Sequence, residues 1–388
     1  MSNPDVGRAP SRVEDVHGIV VLRASGLGDF VLALPALEAL RAAYPTARLV
    51  YLGLPWHTQL LRDRPGPWDE ADVVPAWPGV TSRATAHPHT GDGQRKAFVQ
   101  RHRAACYDLA VQLHGGGAYS TPLLDSLGAR ITVGGRDIGA PRLDRSLPFR
   151  HLQHETLRAL EIVGLVGADP VDLLPSLSVL PSDHCEVADE LADLRGARPL
   201  VALHPGAGDP RRRWPVDRFA AVADELAREG ARVLVVGGRE DSVLAMRLLA
   251  HARSQPSDLT GRLSLPGLVG LLSEVDLMIG NDSGPRHLAA AVGTPTVGIF
   301  WCGNVVNAAP LVRARHRVAT SFQTTCPDCG AGQTRGRCSH DPSFVAEVPV
   351  NEVLDEARNL LIRDWEEASD HPFVVPDRPG DARREQPG

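Results

Sequence analysis

Asp276 to Phe300 reads DLMIGNDSGPRHLAAAVGTPTVGIF. Asp276–Ile279 is a short apolar run ending in the turn GNDSG, Ser283–Val292 is helical, and Pro295–Phe300 is apolar again. The order is strand, turn, helix, strand. Upstream the same alternation continues. Leu200–Leu203 is a strand that runs into HPGAG, Val216–Glu229 is a helix stopped by Gly230, and Arg232–Val236 is a strand ending in Gly237 and Gly238.

Further upstream lies a second series. Gly18–Ala24 (GIVVLRA) is a buried strand, and Asp29–Tyr44 sets Phe30, Leu34, Leu37 and Leu40 at helical spacing before Pro45. Arg48–Leu54, Tyr107–Leu113 and Ala129–Val133 are further strands. Strands alternating with helices imply parallel sheets covered on both faces. Two series imply an α/β protein of two Rossmann-like domains. The boundary is expected between Leu174 and Pro181, where prolines punctuate the chain. The expected division is a flexible 1–17, an N-terminal domain 18–178, a C-terminal domain 179–350, a helix 351–366 and a disordered Pro/Asp/Arg-rich tail 367–388. Trp77–Gly93 has no periodicity and reads as an irregular surface loop.

The composition agrees with a soluble globular protein of this size. The chain has 388 residues, 43% hydrophobic, enough for two cores. No apolar run approaches the roughly 18 residues of a membrane span, and Met1–Glu14 is polar with no secretory signal. The expected location is therefore cytoplasmic. A net charge of -6 argues against nucleic acid as a partner. Lys96 is the sole lysine, so anion recognition must rest on guanidinium groups.

Open α/β sheets bind ligands at the carboxyl ends of their strands. Four turns lie there. Ser25-Gly26-Leu27-Gly28-Asp29 joins the first strand to the first helix, with Asp29 either facing a ligand or capping the helix. It is no dinucleotide fingerprint, since Val31 stands where a third glycine would be needed. His204-Pro205-Gly206-Ala207-Gly208 exposes backbone N–H groups beside Arg211, Arg212 and Arg213, the donors a diphosphate needs. A solvated basic loop is the alternative. Asn281-Asp282-Ser283-Gly284 opens a helix whose free amides and dipole suit an anion, with His287 one turn on. Gly237-Gly238-Arg239-Glu240 offers a carboxylate that could accept from sugar or ribose hydroxyls.

Together HPGAG with RRRWP, then VVGGRED, then DLMIGNDSGPRHLAAAVGTPTVGIF closely resemble the donor half of glycosyltransferase family 9, the heptosyltransferases of lipopolysaccharide assembly. The opening VLRASGLGDFVLALPALEALRAAYP resembles the family equally, and the likeness runs from Gly18 to Arg358 with a loose middle at Trp77–Leu180. The resemblance implies a GT-B architecture of two facing Rossmann-like domains and an inverting, metal-independent transfer. The donor would be a nucleotide-diphosphate sugar, an ADP-sugar in this family. The acceptor would be a hydroxyl of a cell-surface glycan or glycolipid, bringing peripheral membrane contact through the acceptor. It makes Asp29 the catalytic base, with Ser25, Gly26 and Gly28 in the acceptor-side loop. It assigns donor binding to His204, Gly206, Arg212, Glu240, Asp282, Ser283, Gly284 and His287. Arg212 stands where the family usually has a lysine, and the register at Glu240 could slip to Arg239. No cofactor and no catalytic metal are implied. The rivals are a sugar-nucleotide epimerase of the same fold and a non-catalytic sugar-nucleotide-binding protein.

Three of six cysteines cluster late in the chain. Cys326-x2-Cys329 followed by Cys338 and His340 has the ligand types of structural zinc, but the Cys-x-His pair is tighter than common zinc spacing. Reduced thiols in a connector are the expected reading, with a redox pair as a third.

Overall fold

A computed structural model of the protein describes residues 12–81, 92–192, 199–333 and 336–370, without the side chains of 363–370. The N-terminal half runs β1 (Gly18–Leu22), α1 (Leu27–Ala43), β2 (Arg48–Gly53), α2 (Pro55–Leu61), β3 (Glu70–Val73), α3 (Asp92–Ala104), β4 (Leu109–Gln112), α4 (Ser120–Ser126), β5 (Ile131–Arg136), β6 (Arg145–Pro148) and α5 (Glu155–Gly164). Its six strands form one parallel sheet in the order β3-β2-β1-β4-β5-β6. The C-terminal half runs α6 (Pro181–Val187), β7 (Leu200–His204), α7 (Val216–Arg228), β8 (Arg232–Val235), α8 (Ser242–His251), β9 (Ser257–Asp258), α9 (Leu265–Glu274), β10 (Leu277–Asn281), α10 (Gly284–Ala291), β11 (Thr296–Trp301), α11 (Cys302–Ala308), β12 (His316–Ser321) and α12 (Val350–Asp370). Its sheet, also parallel, has the order β12-β11-β10-β7-β8-β9. These are the two Rossmann-like domains of a GT-B fold.

In both sheets the chain order reverses beside a central strand, and ligands of open α/β sheets bind there. Ile19 to Leu22 of β1 and Leu277 to Ile279 of β10 are wholly buried, because helices cover both faces. α1 packs on α5 within its own half and on α10 across the cleft. Arg64, just after α2, makes a bidentate pair with Asp183 of α6 at 2.8 and 2.9 Å, both side chains buried. That pair also ties the two halves together.

Residues 12–17 are packed against the N-terminal domain. Val13 and Val16 are buried, Val13 N–H donates to the Tyr44 hydroxyl, and Asp108 accepts from His17 and Gly18 N–H. The rest of the expected flexible segment, 1–11, and the tail from 371 lie outside the described residues. The irregular stretch from Trp77 begins as a turn, in which Val80 and Thr81 N–H donate to Trp77 C=O. Residues 82–91 lie outside the described residues, and α3 already begins at Asp92. The final helix extends to Asp370, past the expected end at 366.

Candidate functional site

The turns after β1, β7, β8 and β10 meet at a cleft of about 640 Å³. Its wall includes Gly26, His204, Glu240, Ser283 and Gly284, all anticipated from the sequence, and Arg213, one of the three arginines singled out beside the HPGAG turn. Glu240 lines the cleft, whereas Arg239 packs under Gly261. Asn281, fully buried, fixes two of these turns to each other. Its amide donates to Pro205 and Gly206 C=O at 2.8 and 3.2 Å, and its carbonyl oxygen accepts from Trp214 N–H at 2.9 Å. The HPGAG turn therefore cannot shift without disturbing the start of α10.

His204 is buried between two partners. Nε2 lies 3.2 Å from Asp241 Oδ2 and Nδ1 lies 2.9 Å from Ser283 Oγ. Burial pushes the Asp241 carboxyl up, but the hydrogen bond from His204 and the N–H of Gly238 outweigh it and hold the group below its usual value. An ionised Asp241 accepts a hydrogen bond from Nε2–H, and in that tautomer the neutral ring accepts at Nδ1 from the Ser283 hydroxyl. Ser283 then presents oxygen lone pairs to a ligand rather than a proton. Asp241 also explains two glycines: a Cβ on Gly206 would sit 2.2 Å, and one on Gly237 2.8 Å, from its carboxylate oxygens.

Behind Ser283, Asp282 is almost wholly buried and accepts from Arg212 Nη1 at 2.9 Å, Asn304 Nδ2 at 2.8 Å and His287 Nε2 at 3.1 Å. Burial pushes its carboxyl up, yet the His287 hydrogen bond and the charges of Arg212 and Arg286 hold it well below the ordinary range. Burial and the adjacent Arg286 push His287 down to about 4, so at neutral pH it is an uncharged donor to Asp282. Neither Asp282 nor Ser283 caps α10 through its side chain. Arg212 donates Nη1 to Asp282, and its Nη2 stands 3.8 Å from where a Cβ on Gly208, a residue of the cleft wall, would be.

On the opposite wall, Gly26 is the N-cap of α1 and Asp29 makes no capping bond. The Asp29 carboxylate is 46% exposed and faces Arg23 Nη2 at 3.2 Å. Arg23 is itself buried and is held from behind by Glu155 at 3.0 Å and by Leu113 C=O. Burial disfavours its charge, but Asp29 and Glu155 overcome this and raise its pKa further. Beside them the Ser25 hydroxyl is buried with no partner among the described residues. Gly28 abuts the His287 ring, and Gly284 abuts Leu27.

The cysteine cluster lies outside this cleft. Cys326, Cys329, Cys338 and His340 have one ligand atom each within 4.8 Å of all the others, and none of the chain's cysteines is in a disulfide. Hydrogen bonds with His340 and the neighbouring cysteines lower Cys338 to about 7.

The family model for glycosyltransferase family 9 (heptosyltransferase) matches residues 95–335. The chain belongs to that family. It is accordingly a glycosyltransferase, as the motif order implied. The lipopolysaccharide core heptosyltransferase OpsX of Haemophilus influenzae is 22% identical over 365 residues, covering 90% of this chain and 99% of that one. A glycosyl transferase of family 9 from Veillonella parvula superposes with a TM-score of 0.73 at 23% identity, over 89% of this chain and 97% of its own. The ADP-heptose lipopolysaccharide heptosyltransferase II of E. coli gives 0.70 at 21% identity, over 90% and 99%. These likenesses carry the GT-B fold along nearly the whole chain, including the loosely matching middle.

Proposed function

We propose that this glycosyltransferase moves heptose from ADP-heptose to a hydroxyl of the lipopolysaccharide core, by single displacement with inversion and without a catalytic metal. The donor and acceptor are those named for its relatives in the family. The observation that carries the reaction class is the half-exposed Asp29 carboxylate, held by the buried Arg23 at the lip of a cleft whose other wall is Ser283, Gly284 and Arg213.

The donor diphosphate lies against the amides at the start of α10 and the guanidinium groups of Arg212 and Arg213. Those fixed donors stabilise the charge that grows on the departing ADP. Glu240 and Ser283 accept from ribose or sugar hydroxyls. Asp29 reaches from the other domain and takes the acceptor proton as its oxygen attacks the anomeric carbon. Arg23, kept charged by Asp29 and Glu155, is a positioning residue that holds the Asp29 carboxylate in place. A base on one domain and a leaving-group site on the other favour attack from opposite faces of the sugar, hence inversion. Beside the cleft, Asp241 and Asp282 are occupied by His204, Arg212, Asn304 and His287, and phosphate neutralisation falls to arginine and backbone amides. Among the described residues no helix is long and apolar enough to cross a membrane. We place the enzyme in the cytoplasm, meeting its glycolipid acceptor at the membrane surface.

The test is Asp29→Asn. Asparagine keeps the shape but cannot take the proton, so turnover should fall about 10²–10⁴-fold while ADP binding and melting temperature persist. Wild-type turnover in the folded variant would remove Asp29 as the base. It would also reopen the non-catalytic reading and the epimerase, the latter recognised by product formation without acceptor. A strict need for added Mg²⁺ or Mn²⁺ would overturn the metal-independent mechanism.

A further inference from the structure

The first part of the connector between β12 and α12, Phe322 to Ser343, lacks an apolar core of its own, ahead of the buried Phe344, Val345 and Val348. From Phe322 to Ser343 only Cys326 and Gln333 are buried among the described residues. Yet this connector braces the arginine turn of the donor cleft. Ser343 Oγ donates to Arg213 C=O at 2.7 Å, Phe344 N–H donates to Arg211 C=O at 2.7 Å, and Gln333 Oε1 accepts from Arg211 Nη1 at 3.3 Å. A segment with so little buried apolar surface needs a cross-link to keep one shape.

We propose that Cys326, Cys329, Cys338 and His340 bind one Zn²⁺ in a closed tetrahedral site that staples this connector and so holds Arg211–Arg213 against the donor cleft. Three sulfurs and one imidazole are a complete structural zinc set, with no open position for chemistry. Zn–S near 2.3 Å and Zn–N near 2.0 Å bring tetrahedral ligand atoms to roughly 3.5–3.8 Å from one another. The existing spread of at most 4.8 Å needs only a small contraction. The first two ligands sit on a turn suited to this. Gly330 N–H donates to Cys326 C=O at 2.8 Å, Gly330 takes the left-handed φ of +72° that glycine favours, and Thr325 bridges Gly332 across the turn. Cys-x-His is tight in sequence, but the chain brings both side chains to the same point as the first pair. On binding, three thiols release their protons to solvent and His340 binds as neutral imidazole. The zinc takes no part in sugar transfer, so the proposal is compatible with a metal-independent reaction.

The test is elemental analysis of the full chain purified anaerobically from zinc-replete cells. It should carry about one zinc per chain, lost in Cys329→Ser and kept in Cys185→Ser, which lies outside the cluster. Cys329 is exposed, so its serine variant is expected to fold, and circular dichroism checks this. Stripped protein should melt at lower temperature and bind ADP several-fold more weakly, both restored by Zn²⁺. Cobalt substitution gives a second readout: intense tetrahedral bands with thiolate charge transfer support the four-ligand site, and a weak octahedral spectrum overturns it. Zinc-free wild-type protein unaffected by added Zn²⁺, or stoichiometric iron instead, overturns the zinc assignment. The ADP readout rests on the donor-site reading, whereas the metal and melting readouts do not. Protein that binds zinc but never ADP would therefore sink the donor reading and leave the zinc site standing.

Discussion

Gly28 of α1 and His287 of α10 face each other across the domain cleft with no room for a methyl group: a Cβ on Gly28 would lie 2.9 Å from His287 Cδ2. Because His287 also donates to Asp282, the position of the N-terminal helix is read directly by the donor-site network. Gly28→Ala should therefore disturb both. Overpacking of this kind costs about 1–3 kcal/mol, and the displaced His287 should lower turnover tenfold or more. Gly26→Ala is the control, since its nearest neighbour, Asp29 Oδ2, is at an ordinary 3.8 Å, and it should melt like the wild type. Equal melting temperature and turnover in Gly28→Ala and wild type would mean that the two domains do not close this tightly during the reaction.

Four histidines make stability depend on pH in a defined window. Burial is the leading cause in lowering His57 to about 3 and His114, His287 and His316 to about 4, from an ordinary 6.5. The folded state keeps them neutral, while the unfolded chain protonates them first. Between about pH 6.5 and 4 the unfolded state binds more protons, so stability falls as pH falls. Asp241 and Asp282 have the opposite chemistry but the same direction: their depressed values stabilise the fold above the ordinary carboxylate range and that stabilisation is lost below it. The histidine loss should come first on acidification. Urea midpoints at pH 7, 5.5 and 4.5 should decline, and His316→Gln, which removes one of the four titrations, should flatten the slope. A midpoint independent of pH down to 4.5 would contradict the neutral burial of these side chains.

How much of this was legible in the sequence follows from burial. β1 and β10 are covered on both faces, so they appear as unbroken apolar runs. α3 is thirteen residues long, but only Phe98 and His102 are buried, and it left no helical period to read. β3 is Glu-Ala-Asp-Val at a sheet edge, and β9 is two residues, too short for any pattern. In the site, the turns were visible because glycine and polar residues interrupt apolar strands at the ends where ligands bind. Arg23 and Glu155 were missed because they meet across 132 residues of chain and belong to no motif. Asp241 adjoins the anticipated Glu240, but only the fold shows that it turns inward to His204. Capping, the open alternative for Asp29, yields to a longer-range partner, Arg23, and at the start of α10 Asp282 and Ser283 likewise turn to the Arg212–Asn304–His287 set and to His204.

The arginine turn offers the sharpest division of labour. Arg212 donates to the buried Asp282, whereas Arg213 lines the cleft and is steadied by a 3.0 Å bond from its Nε to Ala207 C=O. Losing a hydrogen bond to a charged phosphate costs about 1.5–3 kcal/mol, so Arg213→Ala should weaken ADP binding by roughly tenfold or more. Its melting temperature should change little, because the buried Asp241 beside it keeps its bonds from His204 and Gly238 N–H. Arg212→Ala is different. It leaves Asp282 with only the neutral donors Asn304 and His287, so both stability and ADP affinity should drop. Arg212→Lys keeps the cation and should recover much of the stability, but less of the affinity, since an ammonium cannot span Asp282 and a phosphate as a guanidinium does. Calorimetric ADP titration with thermal melts on the three variants separates these roles. Wild-type ADP affinity in both alanine variants would move the diphosphate away from this turn altogether.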